Sequence, residues 1–77
     1  MRIVLSSHAQ QRAQERQITF KEIKNIIENC DIKTPTRHRR RIRVMKKIGE
    51  RTITVIYEQK DGYFFVITCA KTQKEGE

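Results

Sequence analysis

Between Phe20 and Cys30 the apolar positions Phe20, Ile23, Ile26, Ile27 and Cys30 recur at helical spacing and fall on one stripe. Thr19 and Glu22 form a capping box ahead of that stripe, and Ile18 before the cap is placed to staple against Ile23. The pattern predicts a helix that ends at Asn29-Cys30-Asp31, followed by a loop to Pro35. Upstream the signal is thinner. Ser7 reads as an N-cap with Gln10 completing a second capping box, and the helix expected over His8–Arg16 has only Ala9 and Ala13 at i, i+4 for an apolar side. Two alanines bury little area, so this helix depends on its neighbours. Arg2–Leu5 reads as a short strand or an extended lead-in.

Beyond Pro35 the period changes to two. Ile42 and Val44 alternate with Arg41 and Arg43, which predicts a strand over about Arg37–Lys46. A four-residue turn, Lys47–Glu50, leads to a second strand, about Arg51–Glu58, rich in β-branched residues. Asp61-Gly62 predicts a two-residue type I′ hairpin turn into a third strand, Tyr63 to about Ala70. With those turns Tyr57 faces Val66, Val55 faces Thr68, Ile53 faces Ala70, Val44 faces Ile53, and Ile42 faces Val55. One sheet face then carries Ile42, Val44, Ile53, Val55, Tyr57, Phe64, Val66 and Ala70. The other carries Arg39, Arg41, Arg43, Thr52, Thr54, Glu58 and Tyr63, among which stand Ile56, Phe65, Ile67 and Cys69. The expectation is one α+β domain over residues 1–77: two N-terminal helices packed on one face of a three- to four-stranded antiparallel sheet. Its ordered core is expected over about residues 2–70, with a frayed polar end from Lys71.

Charge sharpens this picture. The 77 residues carry 17 Lys+Arg against nine Asp+Glu, a net charge of +8. Residues 33–60 hold ten of the basic side chains and only Glu50 and Glu58 of the acidic ones, an excess equal to the whole net charge. A charge excess confined to one stretch implies a binding surface rather than general solubility. The partners it favours are nucleic acid first and an acidic protein segment second. Arg37, His38, Arg39, Arg41 and Arg43 are the candidate RNA contacts, with Tyr63 as a base-stacking neighbour. Tyr57 and Phe64 fall on the inner face and read as core. Ile3-Val4-Leu5 is too short for a targeting core, and no apolar run reaches the length of a membrane span. A cytoplasmic protein with reduced thiols at Cys30 and Cys69 is expected.

His8, Arg12 and Arg16 rise along one side of the first helix at i, i+4, i+8. An imidazole beside two guanidiniums suits phosphoryl transfer, the histidine exchanging a proton and the arginines holding the phosphate. The same three residues also suit a structural role, with His8 bonding at the helix start and the arginines paired to Glu15 or another carboxylate. His8, Cys30, His38 and Cys69 sit on four separate elements without paired ligand spacing, so no metal or other cofactor is expected. None of the three glycines precedes a helix as a phosphate loop would require.

The run Ser7-His8-Ala9-x-x-Arg12-x-x-Glu15-Arg16-x-Ile18-Thr19, followed by an amphipathic helix and three strands ending in Val66-Ile67-Thr68, resembles a small bacterial domain family of unknown function. That family's pattern is S-x-H-A-x-x-R-x-x-E-R-x-I-[ST], and it is grouped with the RelE-like and BrnT-like toxins of toxin–antitoxin pairs. The resemblance covers Ser7 to Ala70 and implies two helices on a curved antiparallel sheet, metal-independent cleavage of RNA, and an acidic antitoxin as partner. Matched residue by residue, it points to His8, Arg12, Arg16 and Thr68 as the catalytic set. Gln17 departs from the glycine usual in the family. Three readings follow: a toxin-type endoribonuclease, a non-catalytic RNA- or ribosome-binding module, and a module that binds an acidic antitoxin segment.

Overall fold

The two periodicities resolve into seven elements in the computed structural model, which describes residues 2–38 and 40–73. They are β1 (Ile3–Leu5), α1 (Ser7–Arg16), α2 (Phe20–Glu28), β2 (Ile32–Pro35), β3 (Arg41–Ile48), β4 (Arg51–Lys60) and β5 (Tyr63–Gln73). The sheet runs in the order β1-β5-β4-β3-β2, and α1 packs against β5 and β1 while α2 packs against β3 and β4. The α+β architecture with both helices on one face is as expected. The sheet is larger and mixed. β1 is a true strand, paired in parallel with β5 (Ile3 beside Phe64, Leu5 beside Val66), and the segment read as a loop before Pro35 is an antiparallel edge strand. No described helix is long and apolar enough to cross a membrane.

The core lies between the helices and the inner sheet face. Ile23, Ile26, Val44, Ile53, Val55 and Val66 are fully buried, and Ala9, Ala13, Ile18, Ile27, Tyr57 and Cys69 complete the cluster. Each large aliphatic side chain buried in this way contributes roughly 1.5–3 kcal/mol. Tyr57 and Phe64 meet edge to face, with ring centroids 5.2 Å apart, as their inner-face positions predicted. Phe20 is a correction: it is 50% exposed and lies off the buried stripe of α2.

Helix α2 starts as its sequence dictates, with both halves of the Thr19/Glu22 capping box formed. Helix α1 is capped one residue earlier than expected. Ser6, not Ser7, is the N-cap, and its hydroxyl accepts from the Ala9 amide at 3.0 Å while donating to the Ile67 carbonyl at 2.8 Å. Gln10 reaches back to the Leu5 carbonyl instead of completing a box. Gln17 closes α1 in the left-handed region at φ 57°, where its amide meets the Ala13 and Gln14 carbonyls.

Both hairpins differ from expectation in detail. β3 and β4 turn on two residues, Gly49-Glu50, with Gly49 at φ 64° in the first central position. Val44 therefore faces Val55, and Ile42 faces Tyr57, a slip of two residues that leaves the inner and outer faces unchanged. At Asp61-Gly62 positive φ is confined to Gly62, at 83°, so the turn has the type II pattern and not I′. Tyr57 does face Val66. One step on, a bulge leaves Ile67 unpaired, so Ile56 faces Thr68, Val55 faces Cys69, and Thr54 faces Ala70. Cys69 is thereby buried in the core and Ala70 is exposed, the reverse of the expected faces. β5 continues through Lys71–Gln73, where a frayed end was expected; residues 74–77 lie outside the described residues.

Candidate nucleic-acid interface

With both helices on the inner side, no described element covers the outer face. Register assigns its side chains, because residues directly opposite on paired strands point the same way. Four rows cross it. Val4, Phe65, Glu58 and Arg41 form one; Thr68, Ile56, Arg43 and Thr34 the next; Ala70, Thr54, Met45 and Ile32 the third; Thr72, Thr52 and Lys47 the fourth. Lys60 and Tyr63 stand side by side beyond the first row. The face thus carries Arg41, Arg43, Lys47 and Lys60 against one carboxylate, Glu58, with hydroxyls and apolar side chains between them.

Glu58 organises one corner. Its Oε2 accepts from Lys60 Nζ at 2.9 Å, and its Oε1 lies 3.5 Å from Arg41 Nε. The hydrogen bond from Lys60, and then that from Arg41, hold its carboxyl below the ordinary value of 4.5 against an opposing push from burial. Two of the four cations are thus partly neutralised. Arg43 is exposed and, like Lys47, forms no ion pair among the described residues.

The expected strand over Arg37–Lys46 begins only at Arg41, and this corrects the placement of the first candidate RNA contacts. Arg37 and His38 are exposed in the β2–β3 connection; Arg39 lies outside the described residues. Thr36 knits that connection together: its hydroxyl donates to the Arg41 carbonyl at 2.9 Å and accepts from the His38 amide, while its own amide meets the Arg41 carbonyl. Arg37 and His38 therefore stand on a hydrogen-bonded turn beside the strand that carries Arg41 and Arg43.

His8, Arg12 and Arg16 do share one flank of α1. Arg12 Nη1 lies 3.4 Å from Glu15 Oε1, and Glu15 also accepts from Gln11. The buried Cys69 thiol is pushed up by burial and partly drawn back by the Arg16 charge. Thr68 does not join them. The bulge turns it to the outer face opposite Ile56, across the sheet from the helices. The structure therefore separates the four matched residues into a helix ridge and a sheet position. His8, Cys30, His38 and Cys69 stay apart too, and no group of three or more metal-ligating side chains occurs among the described residues.

Lys47 and Lys60 were not picked out from sequence. Lys47 continues the outward parity of Arg41 and Arg43, but placing it in a four-residue turn removed it from the row. A shallow depression of about 290 Å³ beside it, lined by Asp31, Ile32, Met45, Lys46, Lys47 and Thr52, depends on β2 and was not legible without that strand.

A family model for a domain of unknown function, DUF4258, matches residues 5–70. The chain belongs to the DUF4258 family. The match takes in both helices, β2, β3, β4, and β5 as far as Ala70, so the open sheet face apart from Val4 and Thr72 lies within the DUF4258 domain. No curated protein and no solved structure matches the chain.

Proposed function

We propose that this DUF4258 domain is a cytoplasmic RNA-binding module that holds single-stranded RNA across the open face of its sheet. The observation that carries the reading is the row Arg41, Arg43 and Lys47 on β3, on a face whose paired strand positions hold a single carboxylate, Glu58. Same-side residues on a strand stand about 7 Å apart, so the row offers cations at intervals an extended phosphate backbone can follow. Phe65 and Tyr63, outward on β5, supply flat apolar surface for bases. Arg37 and His38 extend the cationic surface past the end of β3.

The test is binding of a fluorescein-labelled single-stranded RNA over a series of salt concentrations. Replacing Arg41, Arg43 and Lys47 with alanine should weaken binding and lower the slope of log K against log salt by about 2, at roughly 0.7 per lost phosphate contact. An unchanged slope would sink the reading.

Toxin-type, metal-independent cleavage is the second reading, favoured by the His8–Arg12–Arg16 ridge on α1, whose ends are exposed and whose Arg12 is half-buried. In that mechanism His8 takes the proton from a ribose 2′-OH as its oxygen attacks the adjacent phosphorus, the P–O5′ bond breaks to leave a 2′,3′-cyclic phosphate, and the 5′-oxygen takes its proton from water. Arg12 and Arg16 offset the charge on the pentacovalent phosphorus. Thr68, on the other face, takes no step in it. Cleavage that survives chelator and disappears in His8→Ala would establish this reading; RNA that stays intact would leave the domain a binder. An acidic antitoxin segment laid over the sheet face would occlude the RNA site, so such a partner is compatible with both.

A further inference from the structure

The cationic row on β3 has one gap. Between Arg43 and Lys47, roughly 13 Å apart along the strand, the outward residue is Met45, and its neighbour on β2 is Ile32. These two apolar side chains line the depression of about 290 Å³, whose remaining walls are Asp31, Lys46, Lys47 and Thr52. Ile32 is 55% exposed, unusual for a large aliphatic side chain on an edge strand. The hollow's polar groups are fixed. The Lys47 amide donates to Asp31 Oδ2 at 2.9 Å, and Lys46 Nζ donates to the Asn29 carbonyl at 2.9 Å while lying 3.8 Å from Asp31 Oδ1.

We propose, on the basis of the RNA-binding reading, that this hollow seats one unpaired nucleobase of a strand running along β3. The charge pattern selects that occupant. Arg43 and Lys47 bracket the hollow as phosphate contacts two backbone intervals apart, so a strand that touches both carries an uncontacted nucleotide over the apolar position between them. The volume is at the small end for a ligand pocket and suits one ring system. Asp31 and the Thr52 hydroxyl stand at its rim as acceptors for a base amino group, so the seat favours bases that carry one. An apolar side chain of an acidic peptide is the competing occupant.

The experiment is a binding cycle on the full chain with single-stranded oligonucleotides in which one abasic position is moved along the strand. At one position the missing base should weaken binding to the wild-type protein at least about fivefold, the lower end of what one seated base contributes. The Ile32→Ser variant should bind the intact strand more weakly by a similar factor, show no further loss with the abasic strand, and keep the wild-type salt slope, because no phosphate contact is removed. Met45→Ala serves as the second variant, and circular dichroism confirms that both remain folded. An abasic penalty that persists undiminished in both variants overturns the base seat while leaving RNA binding intact. Absence of any salt-dependent RNA binding by the wild-type protein overturns the RNA reading and the seat together. A glutamate- and leucine-rich peptide that binds the wild type more tightly than RNA, and loses affinity in Ile32→Ser, overturns the seat in favour of a protein partner.

Discussion

Ser6 joins three parts of the molecule through one hydroxyl. It caps α1, and it satisfies the carbonyl of bulged Ile67, while its amide donates to the Val66 carbonyl at 2.9 Å. Helix α1 buries only two alanines, so this polar anchor does work that apolar packing does for α2. Ser6→Ala should destabilise the domain by about 1–2 kcal/mol, the usual cost of a lost N-cap with a stranded acceptor. In a domain of this size that amounts to a fall of roughly 4–16 °C in Tm by thermal melt. The two thiols differ at the same scale. Cys69 is 2% exposed and its thiol is raised by burial, whereas Cys30 is half-buried. Iodoacetamide at neutral pH should label Cys30 first, with Cys69 reacting only as the domain unfolds; mass spectrometry of a timed series decides it.

Among the elements, the corner where β3 and β4 share Glu58 gives a pH dependence. Because the Glu58 pKa is lowered on folding, its contribution is complete above the unfolded value and is lost as pH falls through the folded one. Wild-type stability should therefore drop more steeply than that of Glu58→Gln between about pH 5 and pH 3. Parallel urea titrations at several pH values measure the difference, and identical acid limbs would exclude the contribution. Element by element, the sequence was unevenly legible. Helix α2 declared itself through its stripe and capping box, which are local. The inner and outer faces of β3 and β4 were readable because a two-residue slip preserves parity. β2 was not, since Ile32-Lys33-Thr34-Pro35 is short, ends in proline, and becomes a strand only by pairing with β3. The bulge at Ile67 was invisible because its carbonyl partner, Ser6, is distant in sequence. That single miss misplaced Thr68, Cys69 and Ala70, and with Thr68 a member of the candidate site.

For the whole molecule, strand order sets the hierarchy of stability. β4 lies at the centre with partners on both sides, and the edges are the short β1 and β2. Amide hydrogen exchange should be slowest in β4 and the adjoining part of β5, and fastest in β2, read by NMR or mass spectrometry. Uniform protection across all five strands would contradict this ordering. The same layout explains how a small chain can carry so much positive charge. The described cations of residues 33–60 are set out along the sheet and the turn beside it, while Arg51 is drawn to Glu22 on the helical side and Lys46 to Asp31 at the β2 edge.

The extra residue at Ile67 acts as a phase shifter in the last strand. Every side chain beyond it points the opposite way from the one that unbroken alternation through Ile67 would give. Deleting Ile67 would remove the kink yet leave Thr68 opposite Ile56 and Cys69 opposite Val55, because Val66 would then be followed directly by the outward position. A single-codon deletion there would thus keep the lining of both faces and remove only the carbonyl to which Ser6 donates.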